Sequence, residues 1–253
     1  MMREILNRAL YYLSVPKCIV CGEILDYGQN ALCESCLTEY NEHKGRNCSR
    51  CAKLLHECTC SNFYLESKRI KKLIKVYRYM PMRTDTPSNR LIFSLKHDNR
   101  RDTFAFLSHE LAASISSALD TKGREEQFLI TNIPRRPAAK RRDGYDHAKE
   151  LAKRVASLLN IKYLSLLSSK AESAQREMKG EQRRKNAKFV YKRKAQEVSL
   201  KGLTVIIVDD VVTTGSSLAS AADLLRGLGT RRIIGAAVSI AYKDSCIKPI
   251  RYI

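Results

Sequence analysis

The chain has 253 residues, 44% of them hydrophobic, and 46 Lys and Arg stand against 26 Asp and Glu for a formal net charge of +20. That apolar share excludes a wholly disordered chain, and the length admits one large domain or an ordinary domain with a small appendage. The charge implies a field that attracts polyanions, whether nucleic acid, phosphorylated metabolites or anionic lipid heads.

The first fifteen residues carry Ile5, Leu6, Ala9, Leu10 and Leu13 at helical spacing, interrupted by Glu4, Asn7 and Arg8. They form no secretory apolar core, and no run approaches the roughly 18 residues of a membrane span. A cytoplasmic location and no membrane span are therefore expected. Charge is unevenly spread: residues 1–62 hold seven basic and seven acidic side chains, whereas residues 131–200 hold nineteen and seven. Anion binding is expected mainly outside the N-terminal quarter.

Eight of the nine cysteines fall between residues 18 and 60. Cys18-x2-Cys21, Cys33-x2-Cys36 and Cys48-x2-Cys51 are separated by eleven residues each, and Cys58-x-Cys60 follows after six more. In a reducing compartment a metal is the better reading than disulfides. Two Cys-x2-Cys turns complete a tetrahedral thiolate cage for zinc, and Gly22 supplies a residue tolerant of positive φ beside the first. Two structural zinc ions are expected. The simplest assignment is sequential, with Cys18, Cys21, Cys33 and Cys36 on one ion and Cys48, Cys51, Cys58 and Cys60 on the other. A cross-braced pairing fits the same spacing. His43 and His56 lie close enough to replace a thiolate, although a solvated loop position suits each better. A sixty-residue segment with few large apolar side chains builds little core, so metal supplies its folding energy. The segment 1–62 thus reads as a double zinc ribbon, a scaffold or docking surface. Cys246 reads as an inert buried thiol.

Residues 63–75 read as a basic linker. Past them, residues 76–253 alternate strands and helices: a strand at 76–80 broken by Pro81 and Pro87, and helical spacing over 88–96 and 103–119. A strand opens at Phe128 and ends near Pro134, and a helix runs from Asp143 or Gly144 to Asn160. Residues 168–194 read as a polar, basic loop with a helical turn. A buried strand over 204–208, a helix over 216–226 stopped by Gly227 and Gly229, and a strand over 232–240 follow. This order predicts right-handed βαβ units, a mainly parallel sheet and a ligand site outside the strands' carboxyl ends.

One such end concentrates the chemistry. Val205-Ile206-Ile207-Val208 is followed by Asp209-Asp210, two further valines and Thr213-Thr214-Gly215-Ser216-Ser217. Free N–H groups and the helix dipole make the last turn an anion seat to which hydroxyls add donors. The carboxylates repel a phosphate but suit hydroxyls or hydrated magnesium. A ligand with phosphate on one side and vicinal hydroxyls on the other is a phosphorylated sugar.

This run resembles the phosphoribosyl-diphosphate (PRPP) loop of type I phosphoribosyltransferases. With the cysteine pairs, the whole chain is similar to the ComF competence-protein family, a double zinc ribbon joined to a type I phosphoribosyltransferase-like α/β domain. Tyr79 with Leu95-Lys96, the block from Pro134 to His147 with Leu151-Ala152, and Gln175-Arg176 with 183–186 resemble further elements of that family. The resemblance implies that Asp209 and Asp210 hold ribose hydroxyls, that Thr213, Thr214, Gly215, Ser216 and Ser217 wrap the 5-phosphate, and that Arg135 and Arg136 meet diphosphate with magnesium. It also implies a role in natural transformation, handling incoming single-stranded DNA, with a DNA-uptake helicase or processing protein as partner. An active enzyme would be a transferase of pentosyl groups in nucleotide salvage; a non-catalytic interaction protein with a vestigial phosphate site is the other alternative. No acceptor-base pocket stands out. The clusters Lys140-Arg141-Arg142, Arg183-Arg184-Lys185 and 192–194, interleaved with Tyr145, Phe189 and Tyr191, suit a single strand whose bases stack.

Overall fold

A computed structural model describes residues 15–29, 31–79, 86–98, 100–119, 127–137, 140–141, 144–169, 189–192 and 198–241. Its centre is a five-stranded, wholly parallel sheet. In chain order the strands are β1 (Leu73–Arg78), β2 (Phe128–Asn132), β3 (Lys162–Tyr163), β6 (Thr204–Val212) and β7 (Arg232–Ile240); β4 (Leu167–Ser169) and β5 (Phe189–Tyr191) form a separate antiparallel pair. The spatial order β1-β7-β6-β2-β3 places β6 in the middle. Helices are α1 (Glu34–Lys44), α2 (Phe63–Ser67), α3 (Pro87–His97), α4 (Arg101–Ala118), α5 (His147–Leu158) and α6 (Ser216–Arg226).

Strand alternation divides the core in two. Ile206, Val208, Ile234, Ala236 and Val238 face one layer with Leu91, Phe104, Leu107, Leu111, Leu151 and Val155 from α3, α4 and α5. Leu73, Val205, Ile207, Ile233 and Ala237 face the other, with Leu65 of α2 and Leu218, Ala222 and Leu225 of α6. A strand apolar on both faces is what a doubly covered parallel sheet requires. Local signals set the helix ends: Thr86 accepts the Asn89 N–H before Pro87 starts α3, and Asp146 accepts the Lys149 N–H at α5.

The cysteine-bearing segment packs on β1, at the edge of the sheet. Cys18, Cys33, Cys36 and Tyr40 join the first core layer. Tyr40 stacks edge-on against Tyr77 of β1 at 5.7 Å, and its hydroxyl donates to Glu110 on α4 at 2.9 Å. Lys44 pairs with the same carboxylate at 2.6 Å. Arg90 and Arg100 donate to the carbonyls of Val20 and Lys17.

Several bounds differ from the sequence expectation. The first strand begins at Leu73, so Leu73–Lys75 pair with Gly235–Ala237 within a stretch read as linker. The strand expected over 204–208 continues to Val212, carrying both aspartates within it. The α5 helix begins at His147 rather than at 143 or 144. The ends of the expected 168–194 loop are strands paired with each other, and its middle lies outside the described residues. The expected N-terminal helix also lies outside them.

Candidate functional site

The eight N-terminal thiols group sequentially. The sulfurs of Cys18, Cys21, Cys33 and Cys36 lie within 4.8 Å of one another, as do those of Cys48, Cys51, Cys58 and Cys60. Cys21 and Cys33 are 3.6 Å apart, and Cys51 and Cys58 are 3.5 Å apart. An ion held at about 2.3 Å by four sulfurs sets them about 3.8 Å from one another, so the cages fit a tetrahedral divalent metal. The cross-braced alternative does not match this grouping. The knuckle turns supply the geometry, with Gly22 at φ 78° and the Gly22 N–H donating back to the Cys18 carbonyl. His56 turns to the Lys44 carbonyl and Glu57, and neither it nor His43 belongs to a cage.

Packing four thiols together disturbs their acidity. Burial pushes the Cys36 thiol far up and Cys60 up to about 12, whereas a hydrogen bond from Ser35 draws Cys33 down to about 7. Metal binding resolves the conflict by replacing protons, since the ligand is the thiolate. All four positions of each cage are sulfur, which is a structural rather than a catalytic coordination set.

The second candidate site lies where the sheet's connections diverge. From β6 the chain crosses through α6 to β7 on one side, and from β2 through α5 to β3 on the other. The helices consequently cover opposite faces, and a crevice opens between the carboxyl ends of β2 and β6, the usual ligand position in such sheets. Asn132 lies opposite Val208, and the Ile133 N–H donates to the Val208 carbonyl at 2.9 Å. That register sets the Pro134–Arg136 turn beside Asp209 and Asp210.

The carboxylates are held in place by backbone. The Asp210 N–H donates to Asp209 Oδ1 at 3.0 Å, and the Val211 N–H donates to Asp210 Oδ1 at 2.7 Å. Lys96 Nζ of α3 stands 4.0 Å from Asp210 Oδ2. Burial, then the neighbouring Asp210 charge, hold the Asp209 carboxyl well above its ordinary range; the Asp210 N–H and Lys96 oppose that only in part.

Beyond Val212, residues 213–215 turn into α6. Gly215 caps the helix at φ 82° with no side chain of its own to accept, and Thr214 Oγ1 accepts from the Ser216 N–H at 3.3 Å. Asp209, Thr213, Thr214, Gly215, Ser216 and Ser217 line one open concavity. The structure therefore brings Asp209 and the hydroxyl turn to one concavity, with Asp210 the next residue along β6.

The expected cations are distributed differently. Arg135 donates to Nδ1 of the buried His147 at the start of α5, while Arg136 is exposed. Lys140 and Arg141 are exposed and helical, the Lys140 N–H donating to the Arg136 carbonyl at 2.9 Å. Arg142, Arg183, Arg184 and Lys185 lie outside the described residues, as do Gln175, Arg176 and Cys246. Lys192 is half-buried, donates to Ser165 at 2.5 Å, and has its ammonium pKa lowered by burial. Lys96 was not singled out for the site from sequence; only the parallel register that sets α3 over the β6 end shows it.

Residues 144–253 match the phosphoribosyl transferase domain family. The chain is 25% identical to Competence protein F of Haemophilus influenzae over 86% of its own length and 93% of that protein. It is 27% identical to DNA utilization protein YhgH of Escherichia coli K12 over 84% of its length and 92% of that protein. Adenine phosphoribosyltransferase of Thermoanaerobacter pseudethanolicus, a solved structure, is 15% identical with a TM-score of 0.36 over 63% of this chain and 86% of that one. The parallel sheet, its site at the β2–β6 divergence and the domain match define a phosphoribosyltransferase-type α/β protein with a small cysteine-rich N-terminal region. Together with the two four-cysteine cages and full-length relatives of both kinds, they make the chain a ComF-type protein. Among the described residues no helix is long and apolar enough to cross a membrane.

Proposed function

We propose that the chain acts in DNA uptake, binding PRPP or a related sugar phosphate with magnesium at the β2–β6 crevice while handling incoming single-stranded DNA in the cytoplasm. The observation that carries this reading is the β6–α6 crossing. It sets the Asp209 carboxylate and a glycine-turned helix start bearing hydroxyls in one concavity, with Asp210 next to it on β6. In this reading Asp209 and Asp210 accept from ribose hydroxyls, and residues 213–217 present N–H and O–H donors to the 5-phosphate. Magnesium would offset the carboxylate charge beside the diphosphate, with Lys96, 4.0 Å from Asp210, and the exposed Arg136 after β2 as the cations to assist. The DNA role is supported by the names of the relatives matched over most of their length and by the exposed Lys140 and Arg141 that follow β2 in the chain. Zinc is the proposed metal of both cysteine cages, as all-sulfur tetrahedra favour it.

The test is thermal unfolding of the zinc-loaded chain with PRPP or ribose 5-phosphate, with and without magnesium. A concentration-dependent rise in Tm that vanishes in Asp210→Asn supports the site. No shift with either ligand at millimolar concentration would refute it and leave an interaction protein. Diphosphate release on adding a nitrogen base would assign pentosyl transfer as well.

A further inference from the structure

Lys75 is 1% exposed, yet it carries an ammonium group into the layer between the sheet and the cysteine-rich segment. It lies on β1 two residues from Leu73, hence on the face that α2 and α6 cover. Its Nζ donates to Cys58 Sγ at 3.0 Å, to the Cys60 carbonyl at 2.8 Å and to the Leu73 carbonyl at 3.3 Å. A buried cation is costly unless an anion faces it. The anion here is a thiolate cage: four thiolates around a divalent ion leave a charge of about −2.

The last cysteine of that cage and its neighbour Thr59 are also tied by backbone to the start of the strand. Cys60 bridges to Lys72, and the Leu73 N–H donates to the Thr59 carbonyl at 3.0 Å. Two residues on, Asn62 opens α2 by accepting the Leu65 N–H at 2.8 Å, while its Nδ2 lies 3.4 Å from the Thr214 carbonyl. Leu65 is wholly buried under the phosphate turn, so close that a Cβ on Gly215 would stand 2.6 Å from its Cγ. At the far end of α6, Arg226 donates to the Lys68 carbonyl at 2.6 Å. A continuous chain of contacts thus runs from the second cage through α2 to the turn over 213–215.

We infer that the second cysteine cage and the phosphate turn form one linked unit, in which Lys75 balances the cage's charge and Asn62 and Leu65 position the turn. The first cage, packed on the other layer through Cys18, Cys33 and Cys36, stands outside this linkage. Metal at Cys48, Cys51, Cys58 and Cys60 accordingly sets the shape of the sugar-phosphate site, and the turn in return stabilises that metal. Reciprocity is required of any such coupling. The ligand named for the turn rests on the proposed function; the linkage itself does not.

The test uses the full chain loaded with zinc, without sugar phosphate. Release of zinc to a chromophoric chelator is followed in wild type, Asn62→Ala, Leu65→Ala and Lys75→Met, with Cys21→Ser identifying the phase of the first cage. Amide hydrogen exchange of residues 213–218 is read before and after that phase and the other. Loss of second-cage zinc is expected to speed exchange of the turn about tenfold, and Asn62→Ala and Leu65→Ala to speed release from the second cage only. Asn62 is half-buried and outside both cages, so its variant tests the linkage even where Lys75→Met does not fold. Equal exchange with and without second-cage zinc, or release rates unchanged in both turn-side variants, would overturn the inference. A parallel arm adds PRPP with magnesium: protection of the turn by PRPP irrespective of zinc would sink the linkage and spare the site. A turn that responds to zinc but not to PRPP would do the reverse.

Discussion

Asp209 shows how a residue suited to binding works against folding. Its carboxyl is held well above the ordinary carboxylate range, first by burial and then by Asp210. A group whose pKa is raised in the folded state contributes stability that is present at low pH and lost as pH rises through the folded value. At neutral pH, where the unfolded chain's carboxyl is ionised, Asp209 therefore costs stability. We expect Asp209→Asn to raise Tm at pH 7 to 8, with the gain shrinking as pH falls through the raised pKa, and to abolish stabilisation by PRPP with magnesium. Differential scanning calorimetry across pH checks both parts, and a variant less stable than wild type at pH 8 would contradict this account. Gly215 gives the opposite case. At φ 82° with Leu65 against it, Gly215→Ala adds backbone strain and a steric clash, for a loss of about 1–3 kcal/mol in chemical unfolding.

At the scale of elements, the cages and β1 show what the sequence could convey. Cys-x2-Cys spacing is local, so sequential grouping was the simplest expectation, and only the fold distinguishes it from cross-bracing. The apolar runs of β6 and β7 announced buried parallel strands for the same reason. Lys72 and Lys75 made β1 look like linker at its start, because the thiol that accepts from Lys75 comes from a distant turn. α2 escaped notice as a five-residue helix within that supposed linker, although it carries Asn62 and Leu65 to the turn over 213–215. Lys96 was read as part of a helix without a site role, since its distance to Asp210 depends on how α3 crosses the sheet. The cages also yield a pH prediction. Raised thiols at Cys36 and Cys60 mean that the metal-free cages keep protons at neutral pH, and binding must release them. Zinc affinity should rise with pH, and the calorimetric binding heat at pH 7 should vary with the buffer's ionisation enthalpy. An identical heat in all buffers would indicate thiolates already formed.

For the whole molecule, the proposed binding of a nucleic-acid strand rests on where the charge sits on the fold. The neutral N-terminal segment and the strongly basic 131–200 region place the attractive field on the phosphoribosyltransferase-type domain rather than on the cages. Within it, the turn after β2 leads from the crevice to exposed Arg136, Lys140 and Arg141, with Tyr145 half-buried beyond them. A strand following this edge would pass the sugar-phosphate site, its phosphates on the cations. Such contacts release counterions, and the logarithm of affinity falls linearly with the logarithm of salt, by about 0.7 per phosphate contact on a single strand. Replacing both Lys140 and Arg141 by alanine should thus reduce the slope by about 1.4 while leaving zinc content and PRPP stabilisation intact. Fluorescence anisotropy with a labelled oligonucleotide over a salt series measures it. Weaker binding with an unchanged slope would mean that these two cations act through the loop's conformation, and an unchanged affinity would move the strand to a different face of the domain.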